Sequence, residues 1–134
     1  MSDIEFLTIK EFDGKLRSDE GPLSVAGDLA TLTANSGKDM YIATAKVTYF
    51  SNNVGTASGT VTEVVLKLNG VIKETSKYTV NTGSEPLVYE FKNIGQKVAA
   101  TQIIKLEVIG IDVDTDVEGF IECFEEATGD NPAV

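Results

Sequence analysis

The sequence predicts an all-β fold, a two-sheet antiparallel sandwich of about eight strands, jelly-roll or immunoglobulin-like in topology. Three observations carry that expectation. Between Asp39 and Glu125, apolar and polar side chains alternate in stretches of six to eleven residues, the period of strands with one face on a core and one in water. Turns rich in Gly, Asn, Asp and Ser close each stretch. The connections are long as well as short, whereas a closed up-and-down barrel favours uniformly short turns.

Residues 1–28 read as an N-terminal arm with one strand, Ile4 to Ile9, followed by an irregular stretch from Glu11 to Pro22 that has no sustained period and several turn formers. A connection this long implies docking, on its own sandwich or on a neighbouring subunit. The sandwich domain spans 29–126. Leu29 to Ala34 is a strand ending at the turn Asn35-Ser36-Gly37-Lys38, and Asp39 to Phe50 is the clearest strand of the chain. Strict alternation places Tyr41, Ala43, Ala45, Val47 and Tyr49 on one of its faces and Thr44, Lys46 and Thr48 on the other. After the polar loop Ser51–Gly59, Thr60 to Leu68 sets Val64, Leu66 and Leu68 together. Asn69-Gly70 then predicts a type I′ hairpin, because both residues tolerate positive φ. A two-residue loop pairs Leu68 with Val71 and Lys67 with Ile72, which would put Lys73 on the Leu66 face, so a bulge or early strand end is expected near Lys73. Shorter strands follow at Tyr78–Val80 and Leu87–Phe91, with loops at 81–86 and 93–97. Thr101–Ile111 and Val117–Glu125 complete the domain, and 127–134 reads as a flexible tail.

Two strands are apolar on both faces. Ile103 and Ile109 oppose Ile104, Leu106 and Val108, while Phe120 and Phe124 oppose Val117, Ile121 and Cys123. One sheet is therefore expected to be covered on its outer side, by the arm or by another subunit.

Composition fixes the class more firmly than the partner. At 134 residues, with 42% hydrophobic and 24% charged content, the chain describes one soluble domain. A domain of this size buries about two-thirds of the surface its unfolded chain exposes. Its single cysteine, Cys123, makes no intramolecular bridge, and Met1 to Phe6 lacks the basic and apolar regions of a secretory signal, so synthesis in a reducing cytosol is expected. The most hydrophobic stretch, Gln102 to Ile111, is interrupted by Lys105 and Glu107, so no membrane helix is expected. The net charge of -10, with its few basic residues scattered, argues against nucleic acid and anionic membranes as partners.

Reaction chemistry is not legible. The chain has no histidine, which removes Ser-His and Cys-His nucleophile pairs and imidazole metal sites. It has no G-x-S-x-G elbow, and Gly37-Lys38 lacks the spacing of a phosphate-binding loop. With 21 acidic residues, chance carboxylate pairs are inevitable and none is nominated. The expectation is that the chain is not an enzyme and needs no cofactor. The acidic run Asp112-Val113-Asp114-Thr115-Asp116 is a candidate calcium site at Asp112, Asp114 and Asp116 only if a tight turn converges the carboxylates. In a straight strand alternate side chains stand about 6.6 Å apart, too far to share one ion; otherwise the run is a solvated hairpin tip. Cys123, on an apolar face, reads as a core filler.

The runs Thr31–Val47, Leu66–Ile72 and Gln102–Val108 resemble those of small β-sandwich structural proteins of tailed phages and related viruses. The resemblance implies a capsid decoration or minor capsid protein in the virion, made in the host cytoplasm. It would stabilise the shell by contacts to the major capsid protein or other virion subunits, as a homo-oligomer, with a trimer favoured. The alternative is a carbohydrate- or receptor-binding module. Absence of Trp weighs against sugar stacking, although Tyr41, Tyr49, Tyr78 and Tyr89 remain available.

Overall fold

The computed structural model describes residues 15–51, 61–79, 86–112 and 114–127. The strand expected at Ile4–Ile9, the loops expected at 51–59 and 81–86 for the most part, and the tail beyond Ala127 lie outside these residues. Among the described residues there is no helix. The strands are β1 (Lys15–Leu23), β2 (Gly27–Thr33), β3 (Lys38–Ser51), β4 (Val61–Leu68), β5 (Val71–Thr79), β6 (Leu87–Glu90), β7 (Lys97–Val98), β8 (Ile103–Gly110) and β9 (Thr115–Ala127). They form two antiparallel sheets, β1-β9-β3-β6 with the short β7 also on β3, and β2-β8-β4-β5.

The topology follows from one fold-back. Asn69 (φ 51°) and Gly70 (φ 87°) make the tight turn between β4 and β5 that their residue types predict. Either side of it the strands pair in nested fashion, β4 with β5, β3 with β6, β2 with β8 and β1 with β9. Successive pairs fall alternately into the two sheets, and β3–β9 and β4–β8 join the pairs side by side. A long antiparallel hairpin wound up in this way is a jelly roll, which decides between the two expected topologies.

The bulge expected at Lys73 is present. Leu68 pairs with Val71 and Lys67 with Ile72, but Leu66 pairs with Glu74, so Lys73 is the extra residue. Other elements differ from their expected form. β5 runs unbroken through Lys77 to Thr79, with Ser76 and Tyr78 turned into the core. A second bulge lies in β3 between Ile42 and Thr44. It shifts the inward set from Met40 and Ile42 to Ala45, Val47 and Tyr49, so Tyr41 stands opposite Phe124 on the outer face and not with Val47. Strict period-two counting fails there because one residue is left out of the ladder.

The largest difference is β1. The stretch expected to be irregular is, from Lys15 to Leu23, an edge strand paired along its whole length with β9. Its inward positions include Arg17 and Asp19, which bridge the two sheets by hydrogen bonds instead of by apolar contact. Arg17 Nη1 donates to Thr33 O (2.9 Å) and to Glu125 Oε2 (3.2 Å), and Asp19 Oδ2 accepts from the Thr31 amide (2.7 Å). An edge strand with polar side chains on its core face has no amphipathic signature to read.

The core between the sheets is built from Met40, Ile42, Val47, Tyr49, Val64, Leu66, Ile104, Leu106, Val117 and Ile121 with their neighbours, all in one cluster. Tyr49 stacks on Tyr78 with ring centroids 4.8 Å apart, and its hydroxyl shares a 2.6 Å hydrogen bond with the Ser76 hydroxyl, which satisfies both buried oxygens. Gly21 and Gly119 are paired across β1 and β9, and Leu29 packs onto them. A Cβ on Gly119 would lie 2.5 Å from Leu29 Cδ2, and one on Gly21 would lie 2.7 Å from the Leu29 carbonyl oxygen. The sheets approach closely at that point because both residues lack side chains.

Candidate functional site

The sequence nominated Asp112, Asp114 and Asp116. The structure places Asp112 in a tight turn at one end of the sandwich, where it is 1% exposed, so it is not part of a solvated tip. Its Oδ1 accepts a hydrogen bond from the Asp114 amide at 2.7 Å, and its backbone amide donates to Thr62 Oγ1 at 3.0 Å. The turn is closed by the Thr115 amide donating to the Asp112 carbonyl at 3.0 Å. An aspartate that folds back on the amide two residues ahead is shaping its own backbone. Asp116 lies farther on, in β9 opposite Phe50. Among the described residues no group of three or more His, Cys, Asp or Glu side chains is arranged to hold a metal ion. Cys123 is fully buried, and burial pushes its thiol up to about 12, against a smaller downward pull from Arg17. At neutral pH it is an inert thiol.

A different site emerges on the outer face of the β1-β9-β3-β6 sheet, where the registers set side chains in rows. Glu20 of β1, Phe120 of β9, Lys46 of β3 and Glu90 of β6 form one row. The next row holds Pro22, Glu118, Thr48 and Val88, and on the other side lie Ser18, Glu122 and Thr44. A hollow of about 510 Å³ opens over the middle of this grid, lined by Glu20, Pro22, Lys46, Thr48, Glu118 and Phe120, with Gly21 and Gly119 also bordering it. A second hollow of about 540 Å³ shares Pro22 and Glu118 with it and continues toward Phe50 and Asp116.

The chemistry of the grid is mixed. Phe120 is half-buried and Lys46 Nζ stands 5.7 Å from its ring centroid, within cation–π range. Among the described residues Glu20 and Glu118, both exposed, have no ion-pair partner. Across an antiparallel pair, diagonal neighbours such as these have Cα atoms about 7–8 Å apart. A half-buried aromatic ring, carboxylate acceptors and the hydroxyls of Thr48, Thr44 and Ser18 thus share one outer face.

The sequence sets Phe120 and Phe124 opposite Val117, Ile121 and Cys123 on a strand apolar on both faces, but does not join them to Glu20 or Lys46. The alternation Glu118, Phe120, Glu122, Phe124 was the available signal; the missing information was that β1 is a strand.

No family model matches the chain, and no curated protein matches it. Among solved structures it is similar to the carbohydrate-binding module CBM36 in complex with calcium and xylotriose, at 26% identity over 83% of this chain and 93% of that one, with a TM-score of 0.39. It is also similar to the CBM36-1 domain of a multidomain xylanase from the hindgut metagenome of Trinervitermes trinervoides, at 22% identity over 84% of this chain and 98% of that one, with a TM-score of 0.39. A further likeness is to the insecticidal delta-endotoxin Cry8Ea1 from Bacillus thuringiensis, at 11% identity and a TM-score of 0.46, covering 78% of this chain but 19% of the toxin's length.

Proposed function

We propose that this jelly roll is a non-catalytic carbohydrate-binding module whose site is the outer face of the β1-β9-β3-β6 sheet. The observation that carries the reading is the hollow in which Phe120 lies beside Glu20, Glu118, Lys46 and Thr48. A sugar ring offers an apolar C–H face, which packs on the negative π-face of an aromatic ring, and a rim of hydroxyl donors. Ionised carboxylates are pure acceptors, and their charge-assisted bonds to hydroxyl groups are stronger than neutral ones. The hollow is open and rests on paired strands, so it presents a rigid platform suited to holding a segment of a longer chain. A glycan array probed with the wild type and with Phe120→Ala tests the proposal: signal in the first and its loss in the second, with unchanged melting behaviour, is the expected result. Absence of any glycan signal, or signal that survives Phe120→Ala, contradicts it.

A second reading, a virion component that stabilises a shell through protein contacts, is supported by the outer edge of β6, which among the described residues pairs with β3 alone. Leu87 and Val88 there are 49% and 52% exposed. Exposed apolar residues on an open sheet edge favour contact with another chain. In that role the protein would act by mass action, binding the assembled shell and so raising its stability. Co-sedimentation with particles and a raised disruption temperature would support it, and a glycan-binding monomer would not.

A further inference from the structure

Resting on the carbohydrate reading, we infer that the preferred ligand is a glycan bearing free amino groups, with one sugar ring on Phe120 and its ammonium between Glu20 and Glu118. The two carboxylates flank the same hollow from adjacent rows. Among the described residues neither has an ion-pair partner, and Lys46 is the only basic one lining either hollow. Lys46 sits on the far side of Phe120 from Glu20, over the ring, in the row that also holds Glu90. Lys46 is a diagonal neighbour of Glu118 but forms no ion pair with it, so among the described residues the carboxylates on the β1 side of the hollow carry charge that no ion pair offsets.

Elsewhere the chain does offset such charge. On the other sheet Lys67 and Lys105 contact Glu107 at 2.7 and 4.0 Å, and Lys105 contacts Asp28 at 3.2 Å. A cation placed between two like charges relieves their repulsion and gains two charge-assisted hydrogen bonds. The net charge of -10 steers cationic ligands toward the protein and repels uronic or sulfated chains.

The test is calorimetric titration of the full chain with a glucosamine oligomer and with its N-acetylated counterpart of equal length, which has the same rings but no charge. The amine form is expected to bind about tenfold more tightly at low salt, a ratio that shrinks as salt screens the pair. Glu20→Gln combined with Glu118→Gln should bring the two affinities within about twofold, since surface charge removal of this kind leaves the fold intact. Lys105→Ala, on the opposite sheet, should leave the ratio as it is in the wild type. Equal affinity of the wild type for the two oligomers, or tighter binding of a uronic acid oligomer, overturns the inference while leaving a carbohydrate site. Binding of neither oligomer, nor of any neutral sugar, overturns the carbohydrate reading as well. Binding of oligolysine that equals the amino sugar and survives Phe120→Ala would show charge acting alone, and overturns it too.

Discussion

The two sheets of the sandwich present water with faces of opposite design. On the β2-β8-β4-β5 sheet, outward charges are matched into a ladder running from Asp28 through Lys105 and Glu107 to Lys67, with Lys77 at 4.0 Å from Glu63 beyond it. Val65, on the same face and outside the core cluster, is fully buried among them. On the β1-β9-β3-β6 sheet, Glu20 and Glu118 have no ion-pair partner among the described residues and stand beside a half-buried Phe120 at the rim of a hollow. Both faces have the same fold, the same solvent and the same chain. The difference teaches that one fold can neutralise the charge on one outer face and, among the described residues, leave carboxylates without ion pairs on the other.

The strongest way to break the comparison is to remove the support that both faces share. Gly119→Val forces a side chain into Leu29, and overpacking of this kind costs about 1–3 kcal/mol. Urea denaturation should show that loss, with binding falling only as the fold does. A loss confined to binding would mean that the close approach of the sheets is not what the glycine serves.

Glu74 anchors the segment after β6, and its loss should come next. Its carboxylate accepts from the Tyr89 hydroxyl at 2.6 Å, from the Lys92 amide at 2.8 Å and from Asn93 Nδ2 at 2.9 Å. Burial pulls this carboxyl upward, but the bonds from Tyr89, Asn93 and Lys92 outweigh it and hold it below the ordinary 4.5. A carboxyl depressed in the folded state contributes stability that is full above the unfolded value and disappears as pH falls through the folded one. Glu74→Gln should cost about 1–2 kcal/mol at pH 7. It should also flatten the fall in melting temperature between pH 5 and pH 3, within about two units of the unperturbed carboxylate value. An unchanged acid limb would show that Glu74 does not set it.

Two smaller effects sharpen the contrast between faces. Phe120→Ala should weaken glycan binding about tenfold, the loss of one stacked ring, while changing stability by no more than about 1 kcal/mol. Glu107→Gln should cost about 0.5–1 kcal/mol because it takes the carboxylate from Lys67 and leaves Lys105 with Asp28 alone, whereas Glu118→Gln should stay within about 0.5 kcal/mol. Thermal denaturation of the pair reads the difference directly. A Glu118 variant as costly as the Glu107 one would mean that the unmatched face is structural.

The sandwich and its fold-back were legible because Asn69-Gly70 and the alternation of β3, β4 and β8 are local signals. Lys73 could be placed in a bulge because a two-residue loop fixes register by arithmetic. The faces of β3 were misread at Tyr41 because the bulge after Ile42 leaves no mark in the side-chain pattern. Nor was β1 readable, since Arg17 and Asp19 take core-facing positions on the strength of Thr33, Glu125 and Thr31, partners remote in sequence. The candidate site inherits that blindness. Phe120 and Glu118 are neighbours along one strand, but Glu20 and Lys46 reach them only through the pairing of β1 and β3 with β9. The acidic run at Asp112 drew attention by composition, yet its buried first carboxylate caps its own turn.

The most direct test is an amide chemical-shift titration of the labelled protein with a glucosamine oligomer. Shifts confined to residues 18–22, 44–48 and 118–122, the three strands around the hollow, are what the binding-face account predicts. Shifts centred on 63–67 and 105–107, or none at saturating oligomer, would contradict it.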